Sequence, residues 1–126
     1  MSRRVLLVED EPNIVEAIRF LLTRDGWHVD SHADGTDVVE VIEAAQPDLV
    51  ILDLMLPGRS GMDILRDLRD RPGFERLPVL MLTARGQTRD RELAERAGVS
   101  RFMTKPFSNA EVLTAVRDLL AQASRP

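Results

Sequence analysis

Apolar residues along this chain occur in short continuous runs, separated by stretches in which they recur every three or four positions. The runs at 5–8, 49–52 and 79–82 have strand length, and such runs are typical of strands buried on both faces of a parallel sheet. A weaker run at 102–103 and an alternating stretch at 28–32 are two further strand candidates, the second at a sheet edge. The pattern therefore predicts five strands.

The stretches between the runs are amphipathic and carry one apolar face at helical spacing. The four clearest faces consist of Ile14, Ile18, Leu21 and Leu22; of Val38, Val41, Ile42 and Ala45; of Met62, Leu65 and Leu68; and of Val112, Val116, Leu119 and Leu120. Pro12 suits a first helical turn, Gly26 and Gly98 suit helix C-termini, and "SGMD" at 60–63 and "SNAE" at 108–111 resemble capping boxes. Five strand–helix units result, which predict an α/β fold with an open, doubly wound parallel sheet and right-handed crossovers.

One predicted helix, "TRDRELAERA" at 88–97, has little to bury. Its apolar face consists only of Leu93, Ala94 and Ala97. A helix with so small an apolar face should dock weakly, which makes it a candidate moving part. A merely solvated helix explains this composition equally well.

Composition narrows the class of protein. With 126 residues, 30% of them charged and 44% hydrophobic, the chain is expected to form one domain over 1–126. The formal charge of −4 argues against direct binding of nucleic acid. There is no cysteine for a disulfide or a thiolate metal site, and the apolar runs are too short for a membrane span. Without a signal-peptide pattern, a cytoplasmic location is expected.

Polar groups follow the predicted strands, and the carboxyl ends of parallel strands form the ligand-binding edge of such a sheet. The residues just after the four apolar runs are Glu9, Asp10 and Glu11; Asp53; Thr83 and Ala84; and Thr104, Lys105 and Pro106. Carboxylates crowded together raise one another's pKa unless a cation is present, and oxygen ligands of this kind suit Mg²⁺. The sequence therefore predicts a magnesium site here, with a phosphate group as a natural companion.

Asp53 is the candidate nucleophile of this site, because a carboxylate is ionised at neutral pH and needs no general base. The Lys105 amine, the Thr83 hydroxyl and nearby backbone N–H groups could hold phosphoryl oxygens. Taken singly, each residue has a structural explanation: Asp10 could cap a helix, and Lys105–Pro106 could be an ordinary turn. The ordered set, with one group at each strand end, favours the functional interpretation.

Four segments, "VLLVEDEPN", "DLVILDLMLPGRSGMDIL", "PVLMLTARG" and "FMTKPFS", resemble in order the hallmark segments of response-regulator receiver domains of two-component signalling. The resemblance covers essentially the whole chain. It implies a flavodoxin-like fold, with a five-stranded parallel sheet of order 2-1-3-4-5 and five helices on both faces. It also implies a phosphoacceptor switch that catalyses its own phosphorylation and dephosphorylation and is not a turnover enzyme.

The resemblance implies a role for each residue of the site. Asp53 would accept a phosphoryl group, and the Mg²⁺ ligands would be Asp10, Asp53, the backbone carbonyl of Met55 and, through water, Glu9. Contacts to the phosphoryl group would come from Thr83, the backbone of Ala84, and Lys105. Phe102 would be the switch aromatic, whose ring turns inward, and the Lys105–Pro106 peptide bond would be cis. Met55 and Arg85 occupy positions that tune phosphoryl lifetime in the family.

The implied partners are a sensor histidine kinase or phosphotransfer protein as donor, and an effector protein or C-terminal output domain. The surface formed by the last two helices and the last strand would change on phosphorylation. A phosphorylation-dependent dimer is left open, because Ser100 and Arg101 stand where dimerising members carry acidic residues.

Two other functions fit these residues less well. A pseudo-receiver that binds partners without phosphate would have lost Asp53, Asp10 or Lys105, and all three are present. A Mg²⁺-dependent phosphatase of the aspartyl-phosphate type would carry a second Asp two positions after the nucleophile, where this chain has Met55.

Overall fold

The predicted strand–helix alternation is present in the computed structural model, which describes residues 3–84 and 88–123. The strands are β1 Arg3–Val8, β2 Trp27–His32, β3 Leu49–Asp53, β4 Val79–Thr83 and β5 Arg101–Thr104. The helices are α1 Pro12–Arg24, α2 Val38–Ala45, α3 Gly61–Asp70, α4 Thr88–Ala97 and α5 Asn109–Ala123. Arg85 lies outside the described residues, so its predicted position has no structural counterpart here.

All five described strands are parallel and lie in the order β2-β1-β3-β4-β5. This confirms the predicted doubly wound fold and places β2 at a sheet edge, as its alternating sequence indicated. The register aligns Val8 with Leu52 and Thr83 with Thr104. The strands therefore end close to one another along a single edge of the sheet.

Alternation along the strands divides the core into two layers, because successive side chains point to opposite faces. Leu6 and Val8 of β1 belong to the layer that includes the buried residues of α2, α3 and α4. Val5 and Leu7 belong to the layer under α1 and α5. Both faces of the sheet are thus covered, which explains why the central strands are continuously apolar.

The helix ends follow the predicted local chemistry. The Ser60 hydroxyl accepts from the Asp63 N–H at 3.2 Å. At α5, the Ser108 hydroxyl accepts from the Glu111 N–H at 3.1 Å, and Glu111 accepts in return from the Ser108 N–H at 3.0 Å. Helix α4 buries only Ala94 completely, in agreement with its small apolar face. Among the described residues, it is therefore the helix with the fewest fully buried side chains to hold it against the sheet.

An ion pair between Asp25 and Arg117 joins the C-terminal end of α1 to α5, and it makes stability depend on pH. Hydrogen bonds from Arg117 hold the pKa of Asp25 below its usual range. A lowered carboxyl pKa stabilises the fold fully above the ordinary Asp pKa, and this contribution disappears as the pH falls through the folded-state pKa.

Replacing Asp25 with Asn is expected to lower the free energy of unfolding by about 1 kcal/mol or less at pH 7, since Arg117 is more than half exposed. The difference from wild type should be constant above about pH 5 and shrink below the ordinary Asp pKa near 4. Urea unfolding between pH 3 and 7 measures it. Asp30→Asn, on the exposed face of β2, is the control, and an equal pH profile for both variants would contradict the prediction.

Candidate functional site

The carboxyl edge of the sheet brings together the polar groups that follow three neighbouring strands. Asp53 is the last residue of β3, Thr83 is the last residue of β4, and Glu9 directly follows β1. The Lys105 N–H donates to the Thr83 carbonyl at 2.8 Å, which extends the β4–β5 ladder by one residue. Lys105 is thereby carried to the same edge.

The Lys105 ammonium lies at the centre of this group. Its Nζ is 2.7 Å from Glu9 Oε1, 3.0 Å from Asp53 Oδ2 and 3.3 Å from Glu11 Oε1. The side chains of Glu9, Asp53 and Lys105 are no more than 10% exposed. Lys105 is also the only lysine of the chain, the other 16 basic residues being arginines. A compact ammonium therefore occupies the position where several carboxylates converge.

Burial makes the electrostatics of these groups unusual. Removal from water raises the pKa of Glu9 to about 7; Lys105 opposes this shift and Asp53 adds to it. Burial disfavours the charge of Lys105, but its hydrogen bonds to Glu9 and Asp53 outweigh that effect and raise its pKa. One cation thus serves two buried carboxylates, which leaves the cluster with an excess of negative charge.

Asp53 is held in place by backbone as well as by Lys105. Its Oδ1 accepts a hydrogen bond from the Met55 N–H at 3.0 Å, and the Gly61 N–H donates to the Leu54 carbonyl at 2.9 Å. A Cβ atom on Gly61 would lie 2.2 Å from the Asp53 carbonyl oxygen. Gly61 therefore permits the start of α3 to fold against the end of β3.

The arrangement of acidic groups fits a divalent cation. Carboxylate oxygens of Glu9, Asp10 and Asp53 lie within 4.8 Å of one another. Asp10 is exposed whereas the other two are buried, so the cluster opens to solvent on one side. Mg²⁺ prefers oxygen ligands and keeps part of its water shell, and an open three-carboxylate site suits both preferences. The N-cap of α1 is Glu11 rather than Asp10, so capping does not account for Asp10.

Of the residues predicted to form the switch, Thr83 and Phe102 are buried and Ala84 is exposed. Thr83 is fully buried, and Ala84 beside it is exposed. Phe102 of β5 is 8% exposed and packs into the core layer under α2, α3 and α4. The Lys105–Pro106 peptide bond is cis.

Two contacts at this site were not predicted from the sequence. Glu11 makes no capping hydrogen bond through its side chain, and its carboxylate lies beside Lys105 instead. The guanidinium of Arg91, on α4, lies 5.0 Å from the centre of the Phe102 ring, within cation–π range. Glu11 and Lys105 are 94 positions apart, and Arg91 and Phe102 are 11 positions apart. No short sequence pattern therefore indicates either contact. Only the position of Glu11 beside the acidic run could have suggested the first.

A cleft of about 540 Å³ adjoins the acidic cluster. Its lining includes Ile14 and Ala17 of α1, Lys105, Pro106 and Phe107. The lining is mainly apolar, although it also includes Lys105 and Glu11. A partner group could therefore approach the Lys105 side of the cluster over an apolar surface.

Comparisons with known proteins match this chain in sequence and in fold. The family model described as the response regulator receiver domain matches residues 5–117. A BeF3-activated N-terminal receiver domain from Klebsiella pneumoniae is 33% identical, covers 94% of this chain and 98% of its own, and has a TM-score of 0.85. The receiver domain of a Pseudomonas aeruginosa sensor histidine kinase, with a magnesium ion coordinated in its active site cleft, is 30% identical, with coverages of 96% and 99% and a TM-score of 0.87.

A third similar structure is the receiver domain of a signal transduction histidine kinase from Syntrophus aciditrophicus. It is 28% identical, covers 99% of this chain and 95% of its own, and has a TM-score of 0.90. Receiver domains of this shape thus occur both in response regulators and in kinases. No helix in residues 3–84 and 88–123 is long and apolar enough to cross a membrane.

Proposed function

Since this chain belongs to the response regulator receiver domain family of two-component systems, we propose that it is a phosphoacceptor switch, with residues 1–126 forming one receiver unit and Asp53 as the acceptor. The observation that carries the proposal is the position of Asp53. Its carboxylate lies at the end of a buried strand, held by the Lys105 ammonium and the Met55 N–H, beside the carboxylates of Glu9 and Asp10. One contact to each carboxylate oxygen thus fixes the orientation of the Asp53 side chain.

The donor is proposed to be a phosphohistidine of a sensor histidine kinase or a phosphotransfer protein. A carboxylate oxygen of Asp53 forms the new bond to phosphorus while the bond from phosphorus to the imidazole nitrogen breaks, and that nitrogen keeps the electron pair. No proton has to leave Asp53, because it is the ionised carboxylate that attacks. The product is an acyl phosphate, which water can later hydrolyse to return the carboxylate.

The residues around Asp53 are suited to stabilise the transferring group. The Lys105 ammonium, already 3.0 Å from Asp53 Oδ2, can bind a phosphoryl oxygen and offset its charge. The Thr83 hydroxyl and the Ala84 N–H lie at the end of the neighbouring strand and are the proposed donors to the other oxygens. Preorganised donors of this kind do most of the work in phosphoryl transfer, where positioning and electrostatics dominate.

The site is also proposed to bind Mg²⁺. Asp10, Asp53 and the backbone carbonyl of Met55 would hold the ion directly, and Glu9 would do so through water. When bound, Mg²⁺ supplies positive charge that neutralises phosphoryl oxygens and offsets the repulsion among the carboxylates. The support from this structure is the donor set, which consists of oxygens from three converging carboxylates.

The cleft beside Lys105 supports a protein as the donor. Ile14, Ala17 and Phe107 give it an apolar floor that a small phosphate donor does not need, while a protein could pack against it and place an imidazole near Asp53. The kinase and the effector are expected to act in the cytoplasm. The proposed recipient of the signal is an effector protein or a C-terminal output domain.

Phosphorylation is proposed to change the surface formed by α4, β5 and α5. A phosphoryl group adds charge and acceptor oxygens, and it shifts a conformational equilibrium only as far as Thr83 and Lys105 bind it better in one conformation. Phe102 and its Arg91 contact connect β5 to α4, the helix with the fewest fully buried residues among those described. These contacts are the proposed route from the site to the effector surface.

Incubation with acetyl phosphate tests this function, with intact mass as the readout. In the presence of Mg²⁺ we expect the gain of one phosphoryl group, and in EDTA we expect labelling about 100-fold slower, because a metal ion contributes several kcal/mol to the stabilisation of transition-state charge. Since rapid hydrolysis could hide the label, beryllofluoride with Mg²⁺ is added and amide shifts of Thr83, Phe102 and Lys105 are followed by NMR. If there is neither a label nor a shift, the chain is a phosphate-independent binding module.

A further inference from the structure

A groove between α3 and α4 collects positive charge on the opposite layer of the protein from the cleft beside Lys105. This α3–α4 groove has a volume of about 440 Å³ and is lined by Arg66, Arg69, Asp70, Leu93, Arg96 and Ala97. Three guanidinium groups thus face one carboxylate in a chain whose formal charge is −4. The groove is therefore locally positive on a protein that is negatively charged overall.

Arg69 is the most informative of the three, because it meets no carboxylate within 4 Å in the part of the chain that the structure describes. Its Nε donates to the Gly98 carbonyl at 2.8 Å, and its Nη1 donates to the Phe74 carbonyl at 2.8 Å. Its Nη2 reaches the Ser100 hydroxyl at 3.5 Å. Burial lowers the pKa of Arg69, since nothing beside it neutralises the charge. Three of its five N–H groups are therefore occupied by neutral acceptors, and the charge remains uncompensated.

Arg66 and Arg96 lie on opposite walls of the groove, and neither guanidinium has a strong ion pair that an incoming anion would have to displace. The nearest carboxylate of Arg66 is Asp63 at 3.8 Å, and both side chains are more than half exposed, so this pair contributes little. Arg96 makes no ion pair with any residue in 3–84 or 88–123. Both guanidiniums can thus turn to an incoming anion without breaking a strong contact.

The floor of the groove is apolar. Leu93 and Ala97 of α4 are partly buried and pack against the core layer under α2, α3 and α4. Their outer surfaces complete the lining between the arginines. A bare phosphate or sulfate would use the charges and leave this surface unused, whereas a peptide that carries both acidic and apolar side chains would cover both.

We propose that the α3–α4 groove binds an acidic segment of a partner protein, with carboxylates on Arg66 and Arg96 and an apolar side chain on Leu93 and Ala97. Arginine matches carboxylates through two parallel hydrogen bonds, which favours this pairing over a diffuse attraction. Nucleic acid fits less well, because it needs an extended basic surface and this chain is acidic overall. The proposal does not require phosphorylation of Asp53.

Binding is measured by NMR titration of the whole chain with a capped twelve-residue peptide of glutamates and two leucines spaced four positions apart. Amide shifts are expected in 66–70 and 93–98. The double variant R66Q/R96Q should weaken binding by about 5-fold, as expected when two exposed ion pairs are lost. The variant R3Q/R24Q changes the net charge equally at other exposed positions and should bind as wild type. Arg69 is left intact because it holds three backbone and side-chain groups together.

The other outcomes overturn the proposal. Equal binding of the same peptide with glutamine in place of glutamate would remove the role of charge. Equal weakening by R66Q/R96Q and R3Q/R24Q would show a non-specific attraction. If inorganic phosphate shifts the same amides at lower concentration than the peptide, the groove is a small-anion site. If a single-stranded oligonucleotide does so, nucleic acid is the ligand.

Discussion

Replacement of Asp53 with Asn should abolish the phosphoryl label completely while leaving the protein folded. The amide of Asn is a poor nucleophile, and no other carboxylate in the described cluster contacts both Lys105 and the Met55 N–H. Stability should not fall, because Glu9, Glu11 and Asp53 crowd around one ammonium and the substitution removes one of these negative charges. Intact mass after incubation with acetyl phosphate and Mg²⁺ measures the first effect, and urea unfolding measures the second.

Asp30→Asn provides the matched control, since it removes the same charge from the exposed face of β2. It should take up one phosphoryl group at the wild-type rate. A label on the Asp53→Asn protein, located elsewhere by peptide mapping, would show that Asp53 is not the acceptor. A loss of stability with no label would instead mean that the substitution disrupts the end of β3, and the test would then move to Asp53→Glu, which keeps the charge but displaces it.

Replacement of Lys105 with Met should have the largest effect on stability. The substitution keeps the length of the side chain but leaves Glu9 and Asp53, both almost fully buried, without a cation. Removing one member of a buried ion pair typically costs about 3 kcal/mol. The free energy of unfolding at pH 7 should therefore fall by roughly that amount. Part of the loss should be recovered on addition of Mg²⁺, which offsets the same repulsion.

The Lys105→Met protein should also fail to transmit phosphorylation. With its ammonium gone, a phosphoryl group on Asp53 loses the contact that ties it to β5, and NMR shifts in 88–104 should be largely lost. Lys105→Arg keeps the charge and should preserve stability better than Lys105→Met, although its planar, bulkier head suits this crowded point less well. Arg24→Met, on the surface of α1, controls for a lost positive charge. A full set of wild-type shifts in Lys105→Met would contradict the role of Lys105.

Local patterns were sufficient for the secondary structure. Each apolar run became a strand, and each helical stripe became a helix, because these periodicities follow from the geometry of single elements. Ser60 and Ser108 cap their helices through hydrogen bonds that span three residues. The small apolar face of 88–97 predicted a helix with little to bury, and this helix has Ala94 as its one fully buried described residue. All of these features depend on residues that are near one another in the chain.

The outline of the site was also readable, since parallel strands end on one edge and the residues after them must gather there. The sequence did not reveal which group touches which. Lys105 contacts Glu9, Asp53 and Glu11 from up to 96 positions away. Such contacts depend on the conformations that the long side chains of Lys105 and Glu11 adopt in the folded protein, after the strands have paired.

The fold and the candidate acceptor were thus determined by the sequence itself, through strand-length apolar runs and the polar residues that end them. Only the tertiary structure decided that Arg91 lies over Phe102 and that Arg69 carries an uncompensated charge between α3 and α4. The physical reason is that burial and charge compensation depend on which groups are close in the folded structure, and these groups can be far apart in the sequence. Arg69 and Arg91 lie on neighbouring helices and have the same side chain. They differ in their surroundings, because Arg91 contacts an aromatic ring whereas Arg69 contacts backbone carbonyls.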